Sequence, residues 1–136
     1  EAVVAWARPR LLALDHEEVW LLCLDGRNGM HSSRRISQGG LHGCALTPRD
    51  ILCPALRDGA SSIVLVHNHP SGDPMPSDAD LRMTSQVDVA CATVGVPLLD
   101  HVVIAWDGAT SLLELGVVGA DSQSPRPKAA EQQSDR

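Results

Sequence analysis

Phenylalanine and tyrosine are absent from the 136 residues, and three tryptophans make up the whole aromatic complement. The core therefore has to be built from Val, Leu, Ile and Ala, which the 43% hydrophobic content can supply. The four cysteines, Cys23, Cys44, Cys53 and Cys91, form no Cys-x-x-Cys pair, and Cys23 and Cys91 fall inside apolar segments. Buried free thiols in a reducing cytoplasm are expected rather than disulfides. No apolar run of 18 residues, signal-peptide pattern or lipidation motif is present, so neither a membrane span nor an anchor is expected. Positive charge is scarce as well, with 11 Lys and Arg against 17 Asp and Glu for a net charge of −6. Such a surface disfavours unselective binding of nucleic acid, and the densest basic spot, Arg34-Arg35, reads as exposed strand. The length suits one domain.

What the chain does have is concentrated in one stretch. Ser61-Ser62-Ile63-Val64-Leu65-Val66 reads as a buried strand, being short, apolar, β-branched and bounded by small polar residues. His67, Asn68 and His69 follow directly, and alternation along a strand sends both imidazoles to one face and Asn68 to the other. Two adjacent imidazoles make half of a metal site. Pro70, Gly72, Pro74 and Pro76 break the next segment, and Ser77 is a strong N-cap type for a helix expected to run to about Thr93. Asp80 would lie in that helix's first turn, within reach of the histidines if the loop doubles back. Two nitrogens and one oxygen leave a fourth tetrahedral position for water, the mark of a catalytic zinc centre rather than a structural one.

His-x-His, then ten residues, then Asp, with Ser three before the Asp, resembles the signature of the JAMM metalloproteases of the JAB/MPN type. The fuller string from His67 to Asp80 looks like the bacterial RadC-like branch. The likeness extends to Leu14-Asp15-His16-Glu17, Thr47-Pro48-Arg49-Asp50 and Leu98-Leu99-Asp100-His101, and so covers roughly residues 1–118. It implies Zn²⁺ held by His67, His69 and Asp80, and Glu17 as the general base. It also implies a Ser77 hydroxyl that stabilises an oxyanion, although Ser-x-x-Asp is equally close to a helix capping box. A base is needed because a zinc-bound water must lose a proton. Glu17 and the adjacent Glu18 both stand at the entry to a strongly apolar strand. Alignment with the branch selects Glu17, and Glu18 would point to the opposite face.

The remaining segments frame that site. Residues 1–13 read as a helix that Pro9 should kink or end near Arg8. Residues 19–24, apolar on both faces, suit a central strand. Turn signals at Asp25-Gly26-Arg27-Asn28-Gly29 then return the chain as an exposed antiparallel strand over 30–38. Gly39-Gly40 breaks it, and residues 41–46 suggest another short strand. Thr47-Pro48 opens a helix that Gly59 stops. Gly95 and Pro97 end the helix begun at Ser77, residues 98–105 form a strand, and Asp107-Gly108 turns into a last strand near Ser111-Leu112-Leu113. Residues 1–119 thus describe one α+β (mixed α/β) domain, and the resemblance implies a curved, mostly antiparallel sheet flanked by two or three helices. Residues 120–136 are polar and read as a disordered tail.

Asp100 and His101 match the branch and are candidates to orient a metal ligand from behind. Asp73 and Asp78 read as loop and helix-start residues. His16, His31 and His42 have no evident partners and read as surface residues. The resulting expectation is a zinc-dependent hydrolase of amide bonds acting on a peptide or protein. Two alternatives come from other classes: a DNA-repair accessory of the RadC type, whose DNA-reading module could lie upstream of Glu1, and a metal-bearing scaffold without activity.

Overall fold

Strand β3 (Ser62–Asn68) is buried along its whole length, because helices cover both faces of the sheet it centres. In the computed structural model, which describes residues 2–38 and 46–119, five strands lie in the order β2-β1-β3-β4-β5. Here β1 is Glu18–Leu24, β2 Met30–Gln38, β4 Leu98–Ala105 and β5 Gly108–Ser111. Neighbours are antiparallel except β3 and β4, which run parallel. The architecture is the expected α+β one: one mixed, mostly antiparallel sheet with three helices, α1 (Ala2–Leu11), α2 (Pro48–Arg57) and α3 (Asp78–Val94).

Alternation along the strands divides the interior into two apolar layers. Leu22, Leu24, Val64, Val66, Val102 and Ile104 pack with Ala7 and Leu11 of α1. Leu21, Cys23, Ile63, Leu65 and Val103 pack with Ile51 and Ala55 of α2 and Met83, Val87 and Cys91 of α3. Branched aliphatic side chains fill both, as the aromatic deficit requires. Glu17 shares the parity of Leu21 and Cys23, whereas Glu18 shares that of Trp20 and Leu22. The two adjacent carboxylates are thereby sent to opposite faces.

One irregularity matters for the site. Ile63 pairs with Leu98 but Val64 pairs with Asp100, so β4 carries one extra residue there. An inserted residue swaps the faces of everything beyond it. Leu98 and Val103 consequently lie in the same layer despite their opposite parity, and His101 is turned toward α3.

Helix α3 begins with a capping box. The Ser77 hydroxyl accepts from the Asp80 N–H at 3.0 Å, and the Asp80 carboxylate accepts from the Ser77 N–H at 2.8 Å. It ends at Gly95, whose φ of +81° is the left-handed conformation that favours glycine. Its buried face carries two rows, apolar Met83-Val87-Cys91 and polar Asp80-Thr84-Asp88. Buried polar groups persist only when hydrogen-bonded, so the second row marks where chemistry enters the core.

Three expectations change. Helix α1 passes through Pro9 and reaches Leu11; burying Leu11 and Ala7 against the sheet outweighs the lost N–H and ring crowding, which cost about 3 kcal/mol in a helix interior. The last strand is Gly108–Ser111 rather than a segment centred on Leu112. Leu112 instead begins the following turns with its N–H on the His101 carbonyl at 2.9 Å, its side chain being fully buried. His16 and His31 are not without partners: the His16 ring meets Asp15 at 3.1 Å and Glu18 at 2.8 Å, and His31 Nε2 lies 2.9 Å from the Asp58 carbonyl. Residues 41–45 of the strand expected over 41–46, with His42 and Cys44, and the tail from residue 120 lie outside the described residues; Leu46 is not in a strand. Cys23, Cys53 and Cys91 are free thiols, and burial pushes Cys91 up to about 12. Among the described residues no helix is long and apolar enough to cross a membrane.

Candidate metal centre

The carboxyl ends of the parallel pair β3 and β4 form the floor of the site. His67 is the sixth residue of β3 and is fully buried, on the layer that faces α3. His69 lies just past the strand but stays in register, its N–H on the Ile104 carbonyl at 2.8 Å. The loop then folds back: Gly72, at φ +96°, accepts from the Asp107 N–H at 3.0 Å, tying the loop to the β4–β5 turn. That return sets the first turn of α3 over the imidazole pair.

Three side chains expected to act together are brought together. His67 Nε2 and His69 Nε2 lie 3.0 Å apart. Asp80 Oδ1 is 3.3 Å from His67 Nε2, and Asp80 Oδ2 is 3.2 Å from His69 Nε2. Glu17 approaches from β1: one of its carboxylate oxygens and one nitrogen from each of His67 and His69 all lie within 4.8 Å of one another. Its placement follows from register, because Val19 pairs with His67, which puts Glu17 opposite His69.

Electrostatics favours a cation at this point. Burial alone would raise the Asp80 carboxyl, yet the imidazoles of His67 and His69 and the Ser77 N–H hold it well below the usual carboxylate range. The start of a helix also favours negative charge. Asp80 raises His69 above its ordinary 6.5, against the opposing effect of burial. Its Nδ1 lies 3.0 Å from the Asp73 carbonyl. A carbonyl can only accept, so Nδ1 carries the hydrogen and Nε2 of neutral His69 presents a bare lone pair. Bare nitrogen and buried carboxylate together make a donor set that suits a cation. A tetrahedral zinc with bonds of about 2.0–2.1 Å holds its ligand atoms about 3.3 Å apart, and the measured gaps of 3.0, 3.2 and 3.3 Å match. The residues fit the ion.

Glu18, the rival base, is on the far side. It is buried against His16 at 2.8 Å and the Trp20 indole at 2.9 Å, with Arg35 at 3.6 Å. Burial pushes its carboxyl up, but these partners together leave it below the ordinary value. Ser77 stands at the rim in its capping role. Ser77→Ala should cost about 1 kcal/mol in chemical denaturation, the usual effect of losing an N-cap hydroxyl.

Three positioning contacts escaped the sequence reading. Asn68, pointing away from the histidines, accepts the Glu18 N–H at 2.8 Å and donates to the His16 carbonyl at 2.9 Å, clamping the backbone on both sides of Glu17. The Asp73 carbonyl orients His69. Thr84 bridges the Asp80 carbonyl and His101. An i, i+4 Asp-Thr row on a helix was the available signal for Thr84; for Asn68 it was a buried amide expected on the face opposite a ligand pair. Asp100 serves locally, accepting from Ser111, Leu113 and His101.

A family model described as "RadC-like JAB domain" matches residues 1–117. Among curated relatives, a "UPF0758 protein" of Syntrophotalea carbinolica is 38% identical over 87% of this chain and 52% of its own length. One of Syntrophomonas wolfei is 38% identical over 87% and 50%, and one of Salinibacter ruber 39% identical over 81% and 47%. The chain therefore spans about half the length of the curated relatives it matches.

Proposed function

The chain belongs to the RadC-like JAB domain family, and we propose that it is a zinc-dependent hydrolase of amide bonds in peptides or proteins. The single observation that carries this reading is the convergence of His67, His69 and Asp80 within 3.0–3.3 Å, with Glu17 reaching toward the same point. His67 Nε2, His69 Nε2 and the Asp80 carboxylate would hold the ion. Zn²⁺ in such a site supplies Lewis acidity, making water nucleophilic near neutral pH.

Every other part falls to the chain's own residues. Glu17 has a carboxylate oxygen within 4.8 Å of a nitrogen from each imidazole. From there its carboxylate takes the water's proton and returns it to the departing amine. Asn68 holds the Glu17 backbone in that position. Ser77 Oγ already accepts from the Asp80 N–H, so its own hydrogen is the donor left to offer an oxyanion developing on the scissile carbonyl.

The test is hydrolysis of a quenched peptide library and of isopeptide-linked conjugates by zinc-loaded protein, with the Glu17→Gln variant as reference. Cleavage that chelation abolishes and zinc restores is expected; a rate no faster than that of the variant sinks the reading. Zinc binding must also displace a proton from His69 at low pH, because an imidazolium has no lone pair. Apparent affinity should therefore rise up to about tenfold per pH unit, levelling off only above the raised His69 value, and isothermal titration between pH 5.5 and 8.5 reads this slope. A flat profile would mean that His69 is not a ligand.

A further inference from the structure

Behind the imidazole pair lies a buried chain of polar atoms that the proposed hydrolysis does not use. His67 Nδ1 is 2.8 Å from His101 Nε2, His101 Nδ1 is 2.6 Å from Thr84 Oγ1, and Thr84 Oγ1 is 2.7 Å from the Asp80 carbonyl. His67, His101 and Thr84 are each fully buried, so solvent supplies none of their partners.

Hydrogen positions in this chain follow from its fixed end. The Asp80 carbonyl can only accept, so the single hydroxyl hydrogen of Thr84 points to it. Thr84 Oγ1 is then the acceptor toward His101, and His101 Nδ1 carries a hydrogen. A fully buried imidazolium touching only a hydroxyl and an imidazole would have no counter-charge, so His101 is neutral and its Nε2 accepts. His67 Nδ1 must in turn donate. In neutral His67, Nε2 is then left as a bare lone pair aimed at His69 and Asp80.

We propose that His101 and Thr84 are positioning residues of the metal centre: they lock His67 in the tautomer whose Nε2 is free to bind the ion, and they tie that tautomer to the backbone of the helix that brings Asp80. The backbone is arranged for this. The extra residue in β4 turns His101 onto the α3 layer, where it pairs with Leu65, two residues before His67 on the same face of β3. Helical spacing sets Thr84 one turn beyond Asp80. Histidine ligands that donate their second nitrogen to a fixed acceptor bind metal more tightly, and losing such a partner typically costs 10–100-fold in affinity.

The inference rests on the metal-site reading for its consequence, but the tautomer is measurable without any ion. Long-range ¹H–¹⁵N spectra of metal-free, ¹⁵N-labelled protein above the His69 transition should show His67 with Nδ1 protonated and Nε2 bare; the opposite tautomer overturns the proposal. Zinc affinity, by competition with a chromophoric chelator, should fall 10–100-fold in His101→Leu. It should stay within a few-fold of native in His101→Gln, whose amide oxygen can still accept from His67. Thr84→Val, close to isosteric, should weaken zinc and give His67 a mixed-tautomer spectrum while the protein stays folded. If His101→Leu and Thr84→Val bind zinc as the native chain does, or if Gln fails as badly as Leu, the relay has no positioning role. Native protein that shows the expected tautomer yet binds no zinc would instead refute the hydrolase reading and leave the tautomer assignment standing.

Discussion

Glu17→Gln is expected to lower turnover by about 10²–10⁴-fold, the usual contribution of a positioned general base, while zinc affinity stays within a few-fold of native. The substitution keeps size and removes the negative charge together with the ability to take a proton. It also separates two chemically sensible roles for this carboxylate. Glu17 is close enough to His67 and His69 for the three to form a ligand group by themselves. The two Asp80 oxygens lie 3.2 and 3.3 Å from the imidazole nitrogens, and in the proposed centre one of them supplies the third ligand instead. If Glu17 were the ligand, its variant would lose zinc and activity together. As the base, it loses activity alone, and parallel titration and single-turnover assays distinguish the outcomes.

The complementary substitution, Asp80→Asn, should do the reverse to affinity. Zinc sites with four ligands bind with about 10–16 kcal/mol, so one ligand is worth roughly 3 kcal/mol, or about 100-fold. Asn retains an oxygen able to accept the Ser77 N–H, so the capping box survives and the fold should be little affected. It does not retain the charge. With the carboxylate gone, His69 loses the largest influence that raises it, keeping only the Asp73 carbonyl and Glu17 against burial, and its titration should move down. Histidine NMR titration reads that shift in the absence of metal, and an unmoved His69 would show that Asp80 is not its partner.

How much of this was legible in the chain depends on whether the information was local. His67, His69 and Asp80 were legible because strand alternation and helix capping are short-range rules, and the Pro- and Gly-rich loop between them announced a reversal. The choice of Glu17 over Glu18 came from the family resemblance; strand alternation said only that the two face opposite ways. Tertiary packing decided what was missed. Pro9 lies in a helix because Leu11 has a place in the core. Asn68 and the backbone around Glu17 meet from about 50 positions apart, and no local pattern encodes that clamp. The face that His101 takes turned on one residue inserted in β4, which reverses parity and leaves no mark in the sequence Leu98–Ala105.

The centre can be tested most directly by anomalous diffraction at the zinc edge, on crystals grown with one equivalent of the metal. A single peak is expected about 2.0–2.2 Å from His67 Nε2, His69 Nε2 and an oxygen of Asp80, with the Glu17 carboxylate outside bonding distance and facing it. Zinc bound elsewhere on the chain, or held by Glu17 with Asp80 turned away, would contradict it.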